Sequence, residues 1–91
     1  MATSVLSFEI NGERAVNALQ EAGERLGGAD GEVLLDLSSV RRIDSNTIRA
    51  MEVFAGIAAE KGIKIILRGV NVEVYKVLKL VNLSRKFSFQ N

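Results

Sequence analysis

A short polar run, Asp44-Ser45-Asn46-Thr47, separates two apolar segments and holds the side chains best placed for chemistry in this 91-residue chain. It offers one carboxylate and two hydroxyls. A serine hydroxyl becomes a nucleophile when an adjacent base activates it, and the chain contains no histidine. Acidic and hydroxyl side chains are, however, the preferred residues at helix starts. The residues of the run therefore predict a helix N-cap rather than a catalytic centre.

The composition argues against several classes of function. Without cysteine or histidine the chain has no thiolate, no disulfide and no common transition-metal ligand. Asp36, Asp44 and Ser45 form a carboxylate and hydroxyl set without a suitable base. The glycine-rich stretch 27–31 lies between a predicted helix and a predicted strand, the reverse of the order in phosphate-binding loops. We therefore expect a protein that is not an enzyme and that uses no cofactor and no metal.

Length and hydropathy predict one soluble unit. The 91 residues suit a single domain spanning 1–91, and 47% hydrophobic residues are enough for a core. No apolar run approaches the roughly 18–20 residues of a membrane-spanning helix. The first residues do not resemble a signal peptide. We expect a cytoplasmic protein without direct membrane insertion.

Charge is unevenly distributed along the chain. The formal net charge of +1 argues against nucleic-acid binding. Residues 1–44 carry four basic and eight acidic side chains, whereas residues 45–91 carry eight basic and three acidic ones. Two interpretations stay open at this point: the halves complement each other within one domain, or the basic half faces a partner.

Strand and helix patterns alternate along the chain. Such alternation with short connections predicts βαβ units, right-handed crossovers and a largely parallel sheet. The fold class is therefore α/β, with a four-stranded, mostly parallel sheet and about three helices. "VLLDL" is apolar on both faces apart from Asp36, which predicts a central strand covered on both sides. The predicted segments are strands at Val5–Ile10, Val33–Leu37 and Ile63–Val70, helices from Glu13, at Asn46–Lys61 and at Val72–Val81, and an edge strand through Phe87 and Phe89.

Turn residues predict where the helices begin and end. Asp44 or Ser45 is expected to cap the second helix, and Gly62 to end it. Asn71 is a suitable N-cap for the third helix, and Asn82 suits a left-handed exit from it.

The second helix carries two apolar stripes when its residues are placed 100° apart. Ile48 and Met51 belong to the first stripe, with the alanines further along, and this stripe is expected to pack on the sheet. Phe54 and Ile57 belong to the second stripe, together with Val53. That stripe packs against a neighbouring helix of the same domain, or it forms a partly exposed docking face centred on Phe54 and Ile57. Both possibilities stay open on sequence alone.

The arrangement from "VLLDLSSVRRIDSNTIRAM" through "EKGIKIILRGVNVEVYKVLKLVNLSRKF" resembles the STAS domain family, which includes bacterial anti-sigma factor antagonists. The family features are the apolar strand with Asp-Leu-Ser, the Asp-Ser pair opening a helix, and the Asn-Leu-Ser-Arg-Lys-Phe ending of the last helix. The resemblance covers about residues 31–89 well, and the chain before Val5 looks abbreviated, without an extra strand.

The resemblance implies a non-catalytic interaction module that is switched by phosphorylation. Ser45 matches the serine that a partner kinase phosphorylates in antagonist members, where phosphorylation ends binding to an anti-sigma factor. Asp44 matches the acidic residue before it. The expected site comprises the phosphorylation site Ser45 and the partner-binding residues Asp44, Ser45, Asn46, Thr47, Arg49, Phe54 and Ile57.

Two related functions stay open beside the antagonist. One is a STAS accessory subunit of an ABC-type lipid transporter, which would clamp an ATPase subunit through the same helix. Thr47 stands where the family usually has glycine, which fits this alternative at least as well. The other is a scaffold subunit of a sensory complex, in which a hydroxyl of Ser45 or Thr47 is modified to release a partner.

Overall fold

The computed structural model describes residues 6–28 and 31–90. All strand pairs are parallel, and the sheet order is β1-β2-β3-β4. The predicted α/β class, with four strands and three helices, is confirmed. The elements are β1 Leu6–Glu9, α1 Ala15–Glu24, β2 Glu32–Asp36, α2 Ser45–Lys61, β3 Lys64–Arg68, α3 Val72–Leu80 and β4 Ser88–Gln90, with short 3₁₀ turns at Gly12–Arg14, Leu26–Gly28 and Ser84–Lys86.

Three sequence predictions fall partly outside the described residues. These are the start of the first strand at Val5, the expected lack of an extra strand before it, and the part of the glycine-rich stretch at Ala29 and Asp30. At the other end, Phe89 lies in β4 as predicted, whereas Phe87 lies before the strand and is buried.

The sheet has one buried face and one open face among the described residues. Val33 and Leu35 of β2 and Leu67 of β3 are buried, while the residues between them on each strand are partly or fully exposed. With right-handed crossovers, this strand order places every connecting helix on the same side. The prediction that β2 is covered on both faces is therefore wrong, because a single layer of helices covers one face only.

The second apolar stripe of α2 packs against α1. Phe54 is 1% exposed. A Cβ added at Gly23 of α1 would lie 3.8 Å from Phe54 Cδ2 and 3.4 Å from Ile57 Cδ1. Glycine thus lets the two helices approach closely at this level. Of the two possibilities that the sequence leaves open, the structure therefore shows packing against a neighbouring helix, because α1 covers the Phe54 side chain.

The helix ends lie close to their predicted positions. Asp44 is the N-cap of α2, and Gly62 ends that helix with a left-handed φ of 69°. Asn71 is the N-cap of α3 through a side-chain bond to the Val74 N–H. Asn82 has a positive φ of 63° just beyond α3. These four predictions are confirmed.

Candidate functional site

Asp44 is the N-cap residue of α2. Its Oδ1 accepts a hydrogen bond from the backbone N–H of Thr47 at 2.8 Å. This bond satisfies one of the four N–H groups that lack partners at a helix start. The same donor stabilises the charged form and holds the pKa of the Asp44 carboxyl below its ordinary value. Asp44 is thus an anionic cap at neutral pH.

Ser45 and Asn46 lie exposed directly after the cap, on the first turn of α2. Arg49 follows one helical turn after Ser45 and is also exposed. Side chains four residues apart on a helix are neighbours on its surface. Ser45, Asn46 and Arg49 therefore form an accessible polar group at the N-terminal end of α2.

Thr47 lies on the other side of this turn. It is only 8% exposed, and it shares a small pocket with Asp44 and the chain at 12–17, where α1 begins. The Thr47 side chain is therefore turned toward α1 and offers a partner little surface, and its contact with a partner stays a prediction. Asp44, Ser45, Asn46 and Arg49 remain accessible.

The loop before α2 is tied to two other elements. Ser39 Oγ donates to the Ile10 carbonyl at 3.0 Å, at the end of β1. Asn71 Nδ2 donates to the Arg41 carbonyl at 3.1 Å, while Asn71 Oδ1 caps α3. Gly12 permits a close approach, since a Cβ there would lie 2.7 Å from the Ser39 carbonyl oxygen. These contacts hold the Asp44 cap in place relative to the sheet.

Sequence reasoning identified Asn71 as a cap but missed its second bond. The signal was weak, because a side-chain amide that bonds a loop 30 residues earlier follows no local pattern. Arg41 and Arg42 line a shallow pocket beside Asn11 and Glu13, and sequence reasoning did not single them out. Two adjacent arginines before the cap were the available signal.

Asp36 makes its polar contacts with Ser38 and Arg68, and none of them involves Ser45. It accepts hydrogen bonds from the Ser38 N–H, at 2.9 Å, and from Ser38 Oγ. Arg68 Nη2 lies 3.8 Å from Asp36 Oδ2. The hydrogen bonds from the Ser38 hydroxyl and the Ser38 N–H lower the pKa of Asp36, partial burial opposes them less strongly, and the Arg68 charge adds the smallest lowering effect. Asp36 thus pairs with Ser38 and Arg68 at the end of the sheet.

A groove of about 840 Å³ runs between α1 and α2 and opens beside Asn46. Arg49 and Val53 line it from α2, and Gln20 and Glu24 line it from α1. Val53 is 58% exposed, which makes it the accessible apolar residue of the second stripe. Ile57 is partly buried, and Phe54 lies beneath with 1% exposure. The accessible surface near Ser45 therefore centres on Val53 and Arg49.

No helix within the described residues combines the length and apolar character required to cross a membrane. Over the same residues, no group of three or more acidic side chains is arranged to hold a metal ion.

The family profile described as "Mlab, STAS domain" matches residues 6–88. No curated protein sequence matches the chain. A candidate anti-sigma factor antagonist from Thermotoga maritima is 25% identical, with a TM-score of 0.74 over 96% of this chain and 77% of that one.

Two transporter-related structures share the fold. A sulfate transporter family protein from Wolinella succinogenes is 20% identical, with a TM-score of 0.80 over 98% of this chain and 80% of that one. The STAS domain of a SulP transporter from Vibrio cholerae is 16% identical, with a TM-score of 0.78 over 99% of this chain and 76% of that one.

Proposed function

The chain belongs to the STAS domain family, and on that premise we propose that it is a non-catalytic, cytoplasmic interaction module of the anti-sigma factor antagonist type. A protein partner, an anti-sigma factor with serine kinase activity, docks over the N-terminal end of α2, and phosphorylation of Ser45 ends the binding. The observation that carries this proposal is the exposure of Ser45 and Asn46 directly after the Asp44 cap, beside the groove lined by Arg49 and Val53.

The fold is suited to carry a phosphate at Ser45. Unpaired N–H groups and the helix dipole favour negative charge at the start of α2, by roughly 0.3–1 kcal/mol. Arg49, one turn later, has the acid-first i, i+4 spacing that favours an ion pair with a phosphoserine. Phosphorylation is therefore expected to leave the domain folded.

Phosphorylation of Ser45 is tolerated by the fold, but it weakens any protein interface that packs over this residue. A phosphoserine brings about −1.5 to −2 charges. A like charge of the partner at about 4 Å costs on the order of 4 kcal/mol at an effective dielectric constant near 20. This corresponds to roughly a thousandfold loss of affinity. One modified hydroxyl is thus enough to switch binding off.

The two aspartates near this end of the sheet support a non-catalytic role. Hydrogen bonds lower the pKa of both Asp36 and Asp44. A general base works best when its pKa lies near the working pH. These carboxylates are therefore weak bases, and the chain has no histidine or cysteine to replace them.

Affinity capture from the native cell tests the proposal with three baits, wild type, Ser45→Asp and Ser84→Asp. Ser84 lies in the 3₁₀ turn after α3 and receives the same chemical change away from α2. We expect wild type and Ser84→Asp to retain one protein that Ser45→Asp loses. Retention of that protein by Ser45→Asp would contradict the switch.

The second candidate is an accessory subunit of an ABC-type lipid transporter, favoured by Thr47, which stands where the family usually has glycine. In that case α2 contacts an ATPase subunit without regulation at Ser45. The identity of the captured protein separates the two functions. A transporter ATPase retained equally by wild type and Ser45→Asp would favour the accessory subunit.

A further inference from the structure

Among residues 6–28 and 31–90, nothing packs over the sheet face opposite the helices, which is unusual for a parallel sheet. Parallel sheets occur almost only where both faces are covered. On this face Leu34 and Ile66 are partly exposed and lie outside the core cluster. None of the outward-pointing residues of the four described strands is buried. The face therefore presents an apolar centre that no described segment covers.

The strand register arranges the outward residues of β2 and β3 in three rows. Glu32 pairs with Lys64 in the first row, Leu34 with Ile66 in the second, and Asp36 with Arg68 in the third. Each charged row thus has an acidic residue on β2 and a basic residue on β3 at the same height. The middle row is apolar on both strands.

The outer strands continue this pattern. Ser7 of β1 flanks the apolar pair on one side, and Ser88 of β4 flanks it on the other. Glu9 and Gln90 flank the Asp36 and Arg68 row. The face is thus acidic on β1 and β2 and basic on β3. The charged rows above and below the apolar row both follow this order.

We propose that this face is an interface between two copies of the chain, related by a two-fold axis that runs parallel to the strands between β2 and β3. This rotation places β2 of one copy over β3 of the other without changing the height of any residue. Leu34 then faces Ile66 of the second copy, Glu32 faces Lys64, and Asp36 faces Arg68. Opposite charges meet in every charged row.

A second two-fold axis is possible in the plane between the two facing sheets, and the charge pattern argues against it. A two-fold axis perpendicular to the strands would place β2 over β2 and β3 over β3. Glu32 would then meet Asp36, and Lys64 would meet Arg68. Like charges directly opposite are destabilising, so only the axis parallel to the strands is self-complementary.

The interface is small. Four strands about 4.8 Å apart, with roughly four residues rising about 3.3 Å each, offer a flat area on the order of 300 Å². Stable complexes bury about 800 Å² per partner. We therefore expect a weak, salt-sensitive dimer. It leaves α2 free, because the helices cover the opposite face, and it goes beyond the proposed function without depending on it.

Charge-swap variants test the pairing between copies. Glu32→Lys and Lys64→Glu each place like charges in both symmetry-related pairs of the first row of their own homodimer. We expect each variant alone to dimerise at least about tenfold more weakly than wild type. An equimolar mixture restores opposite charges in both pairs and is expected to dimerise within about threefold of wild type.

Analytical ultracentrifugation over a concentration series, with one variant fluorescently labelled for the mixture, measures these constants. Lys76→Glu makes the same charge change on α3 and serves as the control that leaves dimerisation unchanged. Ile66→Asp removes half of the apolar centre without touching the core, and it is expected to be a folded monomer by circular dichroism.

Three results would overturn the proposal: wild type monomeric up to about 1 mM, a dimer that persists in Ile66→Asp, or a mixture as weak as its two components. Capture of a lipid or a different protein on this face, with no self-association, would also overturn it.

Discussion

At the scale of single residues, Asp44 caps α2 and leaves its neighbour free. Its carboxylate accepts a hydrogen bond from the Thr47 N–H. The Thr47 side chain is turned toward α1, whereas Ser45 is exposed. The cap bond and the buried Thr47 side chain are thus the structural part of the polar run, and Ser45 and Asn46 are its accessible part. A phosphate on Ser45 would not have to displace the cap.

The cap makes a prediction about pH. Because the folded-state pKa of Asp44 lies below its ordinary value, the stabilisation is present above the unfolded pKa of about 3.9 and is lost as the pH falls through the folded value. Asp44→Asn keeps a capping side chain but does not titrate. We expect its urea midpoint to fall less than that of wild type between about pH 5 and pH 2.

Glu52→Gln removes an exposed carboxylate from the same helix away from its cap and serves as the matched control. An Asp44→Asn variant with the full wild-type pH dependence would contradict the role given to the cap.

Gly62 and Gly69 allow two effects of an added Cβ to be compared: the strain of a positive φ, and steric overlap with neighbouring atoms. Gly62 and Gly69 have φ values of 69° and 74°, so alanine at either site is strained by about 1–2 kcal/mol. A Cβ at Gly62 meets open space, whereas one at Gly69 would lie 2.8 Å from Ser38 Oγ and 3.0 Å from Ser38 Cα. We expect Gly69→Ala to lower the free energy of unfolding more than Gly62→Ala in urea titrations. Equal decreases in the free energy of unfolding would show that the loop at Ser38 moves aside without a measurable cost.

At the scale of elements, α2 is held on two sides. Its first stripe faces the sheet through Met51, Ala55 and Ala58, which are buried, and its second packs on α1 through Phe54. What remains for a partner is the N-terminal turn and the rim of the groove, where Val53 and Arg49 lie. A binding surface at one end of a firmly packed helix needs little rearrangement to bind.

Truncation of two adjacent residues separates packing from binding. Phe54→Ala removes a buried aromatic ring and is expected to lower the free energy of unfolding by about 3–5 kcal/mol. Val53→Ala changes an exposed side chain and should stay within about 0.5 kcal/mol of wild type, while weakening capture of the partner. Chemical denaturation and affinity capture give the two readouts. A Val53→Ala variant that captures its partner normally would remove the groove from the interface.

At the scale of the whole molecule, strand order places the acidic first half toward β1 and the basic second half toward β4. Among the described residues the single ion pair is Asp36 with Arg68, so most of these charges face solvent rather than one another. The basic residues of α3, Lys76 and Lys79, are exposed. Ion pairing within the domain therefore explains little of the charge asymmetry seen in the sequence.

The elements and their ends were predictable because their signals are local. The cap at Asp44, the glycine at position 62 and the asparagine at 71 each satisfy or release backbone groups within four residues. The covered faces were not predictable in the same way. The pattern of α2 showed two apolar stripes but not which neighbour would cover Phe54, and β2 showed apolar residues on both faces although helices cover one.

The most direct test of the central claim is a binding titration of the captured partner with the chain before and after stoichiometric phosphorylation at Ser45. Circular dichroism of both forms serves as the fold control. We expect an unchanged fold and a dissociation constant raised by roughly a thousandfold. A phosphorylated chain that binds within about threefold of the unmodified one would contradict the claim that the exposed first turn of α2 is a phosphorylation switch.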